Sequence, residues 1–370
     1  MSDELELMRS LLDRAMAEGA VGLASGLIYP PSAYGDTAEL AALAEVVAAR
    51  EGLYASHIRN EGARLLEAVE ENLEVGRRSG VRVQLSHHKA AGRQNWGRVR
   101  DSAALIERAR EGGVDVAADQ YPYTASATGL AVAVPSWMHE GGSLAMCERL
   151  RDRALRARSR GDEAETWRDW EAIVIARARR HPEHSGRSVA DLARAAGQDP
   201  YDWTCDALIE HDGAVDIIHH SMSEDDVRFV MARPWVCVGS DSSAKAPAGP
   251  LSFGRPHPRA YGTYPRILGR YVREERLLGL EEAVRRMTGL TASRLRLRDR
   301  GLLRLGAWAD LVLFDPARVV DTATYEDPHR YPVGIEWVVV NGAVALARGE
   351  TTAERPGRFL RQHADMGAAA

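Results

Sequence analysis

Apolar and polar positions along the chain alternate between a helical and an extended period. From Glu4 to Glu18, Leu5, Met8, Leu12, Ala15 and Met16 recur at helical spacing, and Gly19 ends the run before the apolar stretch AVGLASGLIYP. The same order then repeats. Helices are predicted from Asp36, an N-cap with Glu39 three residues on, to Arg50, from Gly62 to Ser79, and from Val99 to Glu111. The short apolar runs GLYASHI, VRVQLSH and VDVAADQYPY follow them in turn. After a long helical region come AVDIIHH, the acidic helix SEDDVRFVMA and WVCVGSD. Six strand candidates, each separated by enough chain for a crossover, predict a parallel sheet of an α/β protein. Their ends are polar or aromatic: Tyr29, His57, His87, Asp119 with Tyr121, His219 with His220, and Asp241. Such strand ends carry the chemistry in a (β/α)8 barrel, whereas a doubly wound sheet concentrates its ligand at one switch point. No GxGxxG or GxxxxGKS motif supports the second architecture.

Residues 1–300 are therefore read as a barrel domain, interrupted at about 141–212 by an insertion predicted to be helical and to cover the barrel mouth. The insertion is Arg-rich from Arg149 to Arg180 and carries Trp167, Trp170 and Trp203, but interleaved acids make it an amphipathic cover rather than a nucleic-acid surface. From Gly301 the pattern shortens to strands, with turns at Asp315-Pro316 and Asn341-Gly342, which predicts a small β domain over 301–360. Residues 361–370 read as a frayed tail.

Composition narrows the function classes. The 48 basic and 53 acidic residues leave a net charge of −5, spread along the chain, which argues against a nucleic-acid groove or a polybasic membrane anchor. Cys147, Cys205 and Cys237 are odd in number and form no CxxC pair, so no disulfide framework or zinc knuckle is written here. No apolar run approaches the roughly 18 residues of a membrane span, and the acidic, helical start is no signal peptide. A cytoplasmic protein without nucleic-acid or membrane partners is expected.

His57 and His87 stand 30 residues apart, about one β/α unit, so two neighbouring strand ends can bring their imidazoles to one ion. His88 points to the opposite side of its strand and is read as packing. Asp241 ends the last apolar strand, where an acid can bind metal and shuttle protons. Asp119 is read as structural or as a substrate contact, and His219 and His220 as non-ligands. Arg259, in a loop after the last strand, can clamp a carboxylate or form a surface ion pair.

The ordered motifs GLASGLIYPP, ASHIRNEG, QLSHHKAAG, ADQYPYTASATGL, MSEDDV, GSDSS, HPRAYGTYPR and RMTGLTASRLRLRDRGLLRLGAWADLVLFDP give the chain its resemblance. It strongly resembles the D-aminoacylase (N-acyl-D-amino-acid deacylase) branch of the amidohydrolase superfamily, from about residue 4 to residue 360. The resemblance implies a metal-bearing (β/α)8 barrel with a small C-terminal β-sandwich portion. It implies a divalent metal, zinc by preference, on His57 and His87, with Asp241 as catalytic aspartate and further metal ligand. Tyr29 and Tyr121 border the substrate, and Arg259 takes its carboxylate. The implied reaction is hydrolysis of the linear amide of N-acyl-D-amino acids, small-molecule substrates, to a carboxylate and a D-amino acid.

Members of that branch carry an HxH pair and a cysteine ligand upstream of these motifs, and neither occurs in this sequence. The expectation is a barrel lacking its first strands, with weak metal affinity and open edges that a homo-oligomer or other pairing covers. Two alternatives accompany it: a catalytically impaired homologue acting as a binding or assembly subunit, and a related amidohydrolase acting on cyclic or peptide-like amides.

Overall fold

In the computed structural model, residues 3–162 and 168–362 are described; Trp167 and the expected tail beyond residue 362 lie outside the described residues. Helix α1 (Asp3–Ala17) precedes strand β1 (Gly22–Gly26). The Asp36 carboxylate accepts a hydrogen bond from the Glu39 amide at 2.8 Å and so starts α2 (Thr37–Ala49). Strand β2 (Leu53–His57), helix α3 (Leu65–Ser79), strand β3 (Arg82–Leu85), helix α4 (Val99–Glu111) and strand β4 (Val116–Gln120) follow. Leu65, Ala68, Val69 and Leu73 form the buried stripe of α3. A Cβ at Gly76 would stand 2.8 Å from Val83, so glycine lets α3 lie close on β3.

The chain next forms β5 (Ser126–Gly129), β6 (Ile173–Ala178) and β7 (Val215–His219), and returns as β8 (Val236–Val238). The parallel sheet runs β1-β2-β3-β4-β8, an arc of a barrel with α2, α3 and α4 packed outside it. Its core joins Val83, Leu85, Val116 and Ala118 of the strands to Val47, Val69, Leu73 and Ile106 of the helices.

Five of the six expected strands lie in this sheet. The sixth, in AVDIIHH, does not: β7 is the centre of a separate antiparallel sheet of order β5-β7-β6. The insertion also contains β6, so it is not wholly helical. An isolated apolar run encodes neither the direction nor the identity of its partner. Here both follow from a second core, in which Ile173, Ile175, Val215 and Ile217 pack with Leu130, Leu150 and Leu208.

The C-terminal strands β9 (Leu311–Phe314), β10 (Ile335–Val340), β11 (Ala343–Ala347) and β12 (Glu350–Thr351) form an antiparallel sheet. Asn341 and Gly342, at φ of 50° and 84°, supply the two left-handed residues of the β10–β11 hairpin. Among the described residues, no helix is long and apolar enough to cross a membrane.

Candidate metal centre

Parallel pairing of β2 with β3 aligns Ser56 with Leu85, which brings His57, the last residue of β2, beside the segment that follows β3. His57 Nδ1 and His87 Nε2 consequently face each other at 2.9 Å. His87 sits in the left-handed region at φ 38°. Asp119 on β4 holds that turn: one carboxylate oxygen accepts the His87 amide at 2.8 Å, the other accepts the Gln84 side-chain amide at 2.9 Å, and its carbonyl accepts the His88 amide at 2.8 Å. Asp119 thus acts on the site through the backbone of its neighbouring strand.

Two residues that the sequence reading assigned no role complete the cluster. Glu61, four residues after His57, is buried, with Oε1 3.1 Å from His87 Nδ1 and 3.9 Å from His57 Nε2. Lys89, two residues after His87, pairs with the Glu61 carboxylate and lies 2.7 Å from His87 Nδ1. Both stand inside the motifs ASHIRNEG and QLSHHKAAG, so their proximity in sequence to the histidines was the available signal. His57, Glu61 and His87 offer donor atoms within 4.8 Å of one another.

Burial pushes the His57 imidazolium down to about 3, with Glu61 opposing and His87 and Lys89 reinforcing the shift. His57 is therefore a neutral imidazole, the form that binds metal. Its Nε2 is buried without a hydrogen-bond partner. Burial by itself would raise the Glu61 carboxyl, but Lys89, His57 and His87 hold it well below the usual carboxylate range. Two facing imidazole nitrogens, an ionised carboxylate and an orphaned ring nitrogen form a donor set of the kind that fits zinc and similar divalent ions.

The other site candidates converge on the same place. Tyr29, Tyr121 and Asp241 line one cavity of about 260 Å³ with His57, His87, Glu61 and Lys89. The Tyr29 ring lies 5.1 Å from the His57 ring, and its hydroxyl is 2.9 Å from Thr128. Tyr121 is buried with an unpartnered hydroxyl, and burial raises its phenol well above the ordinary range. Asp241 follows β8 at φ 47°. It stands outside the tight donor cluster, where Glu61 is the carboxylate, and is paired instead with Arg259 Nη2 at 2.8 Å. The buried Arg259 guanidinium lies 4.5 Å from the centre of the Tyr121 ring.

The remaining candidates fall elsewhere. His88 is buried against Ser102 at 2.9 Å. His219 pairs within β7 opposite Ser126 and Ile173, and the His220 ring packs against Tyr325. Cys237 is buried on β8.

The chain is similar to known proteins along almost its whole length. The chain is 39% identical over 368 residues to the N-acyl-D-glutamate deacylase of Alcaligenes xylosoxydans xylosoxydans, and 38% identical over 362 residues to the D-aminoacylase of the same organism. These alignments cover 99% and 98% of this chain but 66% of each relative, so the chain spans just under two thirds of their length. A crystal structure of N-acyl-D-glutamate deacylase from Bordetella bronchiseptica, complexed with zinc and a phosphonate mimic of the tetrahedral intermediate, superposes with a TM-score of 0.80 at 40% identity. That superposition covers 98% of this chain and 67% of the other. The sequence profile of the amidohydrolase family matches residues 3–346. With its histidine pair at adjacent strand ends and this match along almost its whole length, the chain belongs to the amidohydrolase family.

Proposed function

We propose that this chain takes part in metal-dependent hydrolysis of the amide bond of N-acyl-D-amino acids, releasing a carboxylate and a free D-amino acid. The observation that carries the reading is the 2.9 Å approach of His57 and His87 in a cavity shared with Asp241, itself paired to Arg259. His57 and His87 would hold the metal, with zinc, the ion of the Bordetella bronchiseptica complex, as first choice. Such an ion would polarise the amide carbonyl and draw the pKa of a water from about 16 towards about 7.

The chain's own groups supply the rest. Asp241 is suited to take the proton of the attacking water and pass it to the departing amine nitrogen, since it lines the cavity beside the histidines. Arg259 offers Nη1, which has no partner, to the substrate carboxylate. Tyr29 and Tyr121 wall the substrate, and residues 1–300 form the catalytic unit with 301–360 as the β domain. Cys147, Cys205 and Cys237 are free and buried, which supports a reducing, cytoplasmic location. The edge strands β1 and β8 each have one neighbour in the sheet order, which supports a pairing that covers them.

The test is turnover of N-acetyl-D-amino acids and their L enantiomers by the zinc-loaded chain, read by chiral chromatography. Release of D-amino acid that is lost in Asp241→Asn is expected. Stoichiometric zinc binding without turnover of any N-acyl-D-amino acid would overturn the reading in favour of a binding subunit.

A further inference from the structure

The insertion carries a cluster of imidazoles and carboxylates that the amide chemistry does not use. After β6 the chain makes a 3-10 turn, Pro182–His184, with His181 at its start. Three residues per turn set positions i and i+3 one above the other. The His181 and His184 rings accordingly stack, 4.8 Å apart with their planes inclined by 17°. Glu183 Oε1 lies 2.8 Å from His181 Nδ1 and 4.0 Å from His184 Nε2, the second beyond hydrogen-bond reach. Donor atoms of His181, Glu183 and His184 all fall within 4.8 Å of one another.

A second segment closes on this turn. Glu210 ends the helix Pro200–Glu210, and its Oε1 is 2.9 Å from His181 Nε2. An imidazole whose far N–H is held by a carboxylate presents its other nitrogen as a lone pair, the arrangement that metal-binding histidines adopt. His211, the next residue, is 6% exposed and stands edge-on to His181 at 5.9 Å between ring centres, and its Nδ1 is buried without a hydrogen-bond partner. Charge balance points the same way. Among the described residues, no lysine or arginine comes within ion-pair distance of the Glu183 or Glu210 carboxylate. Arg180 is engaged by Asp212 at 2.9 Å and by the Glu210 carbonyl. Even as an imidazolium, His181 sets one positive charge against two carboxylates.

We propose that His181 Nδ1, Glu183 and His184 bind a divalent transition-metal ion, zinc in the first instance, with Glu210 accepting the His181 Nε2–H to orient that ring and His211 as a further imidazole donor. Two imidazoles and a carboxylate are a ligand set that zinc takes, and imidazole suits copper and nickel as well. The cluster rests on the insertion's own core through Trp203, whose ring centre is 5.8 Å from that of His184, so it is a different site from His57 and His87. The bound ion ties the turn after β6 to the end of the helix Pro200–Glu210. Glu183 and Glu210 are exposed, so water and salt compete for them, and this site fills after the buried centre at His57 and His87.

Equilibrium dialysis against rising free zinc is expected to show a second equivalent taken up after the first. His184→Gln and Glu183→Gln should each lose the second equivalent and keep the first, and His87→Asn should do the reverse. Zinc uptake that neither of the first two substitutions lowers overturns the site. A single equivalent that His184→Gln removes and His87→Asn leaves in place would keep this site and sink the centre at His57 and His87. Trp203 reads the wild-type chain directly. Cupric ion bound beside it should quench the part of the fluorescence that Trp203→Phe removes, and should still do so in His87→Asn. Trp203 emission that copper leaves unchanged, or quenching that His87→Asn abolishes, overturns the site even where His184→Gln and Glu183→Gln fail to fold.

Discussion

Asp241 Oδ2 accepts a charge-assisted hydrogen bond from Arg259 Nη2 at 2.8 Å, which ties the candidate proton carrier to the candidate carboxylate clamp. The buried guanidinium is fixed further by the Tyr121 ring beneath it, while Nη1 remains unpartnered. In the proposed reaction, a substrate carboxylate on Nη1 would share this planar donor with Asp241.

Arg259→Lys keeps the charge but not the fork. The expected result is a loss of about tenfold to a hundredfold in kcat/KM, mostly through KM, for one lost charge-assisted hydrogen bond of about 1.5–3 kcal/mol. Steady-state kinetics on an N-acetyl-D-amino acid checks it. A fall in kcat at constant KM would show that the pair with Asp241, and not substrate binding, is what Arg259 supports.

Removing one imidazole should remove the metal. In His87→Asn the zinc bound at equilibrium with a zinc-containing dialysis buffer is expected to fall from near one equivalent to a small fraction of that. The wild-type chain should gain thermal stability on zinc addition, about 2.7 kcal/mol at a hundredfold excess over the dissociation constant, and the variant should not. Equal zinc content in the two proteins would place the ion elsewhere.

Asp119 touches the metal centre only through the backbone, so its loss should act on geometry. Asp119→Ala strips the His87 amide and the Gln84 side chain of their acceptor, at an expected cost of about 1–3 kcal/mol in urea unfolding. Zinc affinity should weaken in parallel as the left-handed turn at His87 loosens. An unchanged zinc affinity in a destabilised variant would make Asp119 a purely structural residue.

Acid should neutralise two ion-paired carboxylates, Glu275 and Glu282. The Arg228 hydrogen bond, with Arg270 assisting, holds Glu275 at about 2, and the Arg285 hydrogen bond, with Arg286 assisting, holds Glu282 at about 2, against an ordinary 4.5. Folded-state values below the unfolded ones mean that this stabilisation is complete above about pH 4.5 and disappears as pH falls towards 2. Both groups are largely solvated, so screening keeps each contribution modest. Denaturation of Glu275→Gln and Glu282→Gln should show them less stable than wild type near neutrality and converging with it at about pH 2. A gap that stays constant across this range would assign the loss to packing.

The repeating helix and strand pattern, the Asp36 cap, the Asn341-Gly342 hairpin and the pairing of His57 with His87 were legible in the sequence. Each is local, or depends on a spacing of one β/α unit that parallel pairing converts directly into proximity. Position along the strands also marked Asp241 and Arg259, the motif-borne resemblance added a substrate-bordering role for Tyr29 and Tyr121, and the fold brings all four to two adjoining cavities. Tertiary structure alone decided that Val215–His219 leaves the parallel sheet, because an apolar strand carries no mark of its partner and the insertion's own core selects it. It alone decided that Glu61 and Lys89 enter the metal centre and that Asp241 faces Arg259. A charged side chain reads as solvated surface until burial makes pairing obligatory, and burial is a property of the packed chain rather than of any segment.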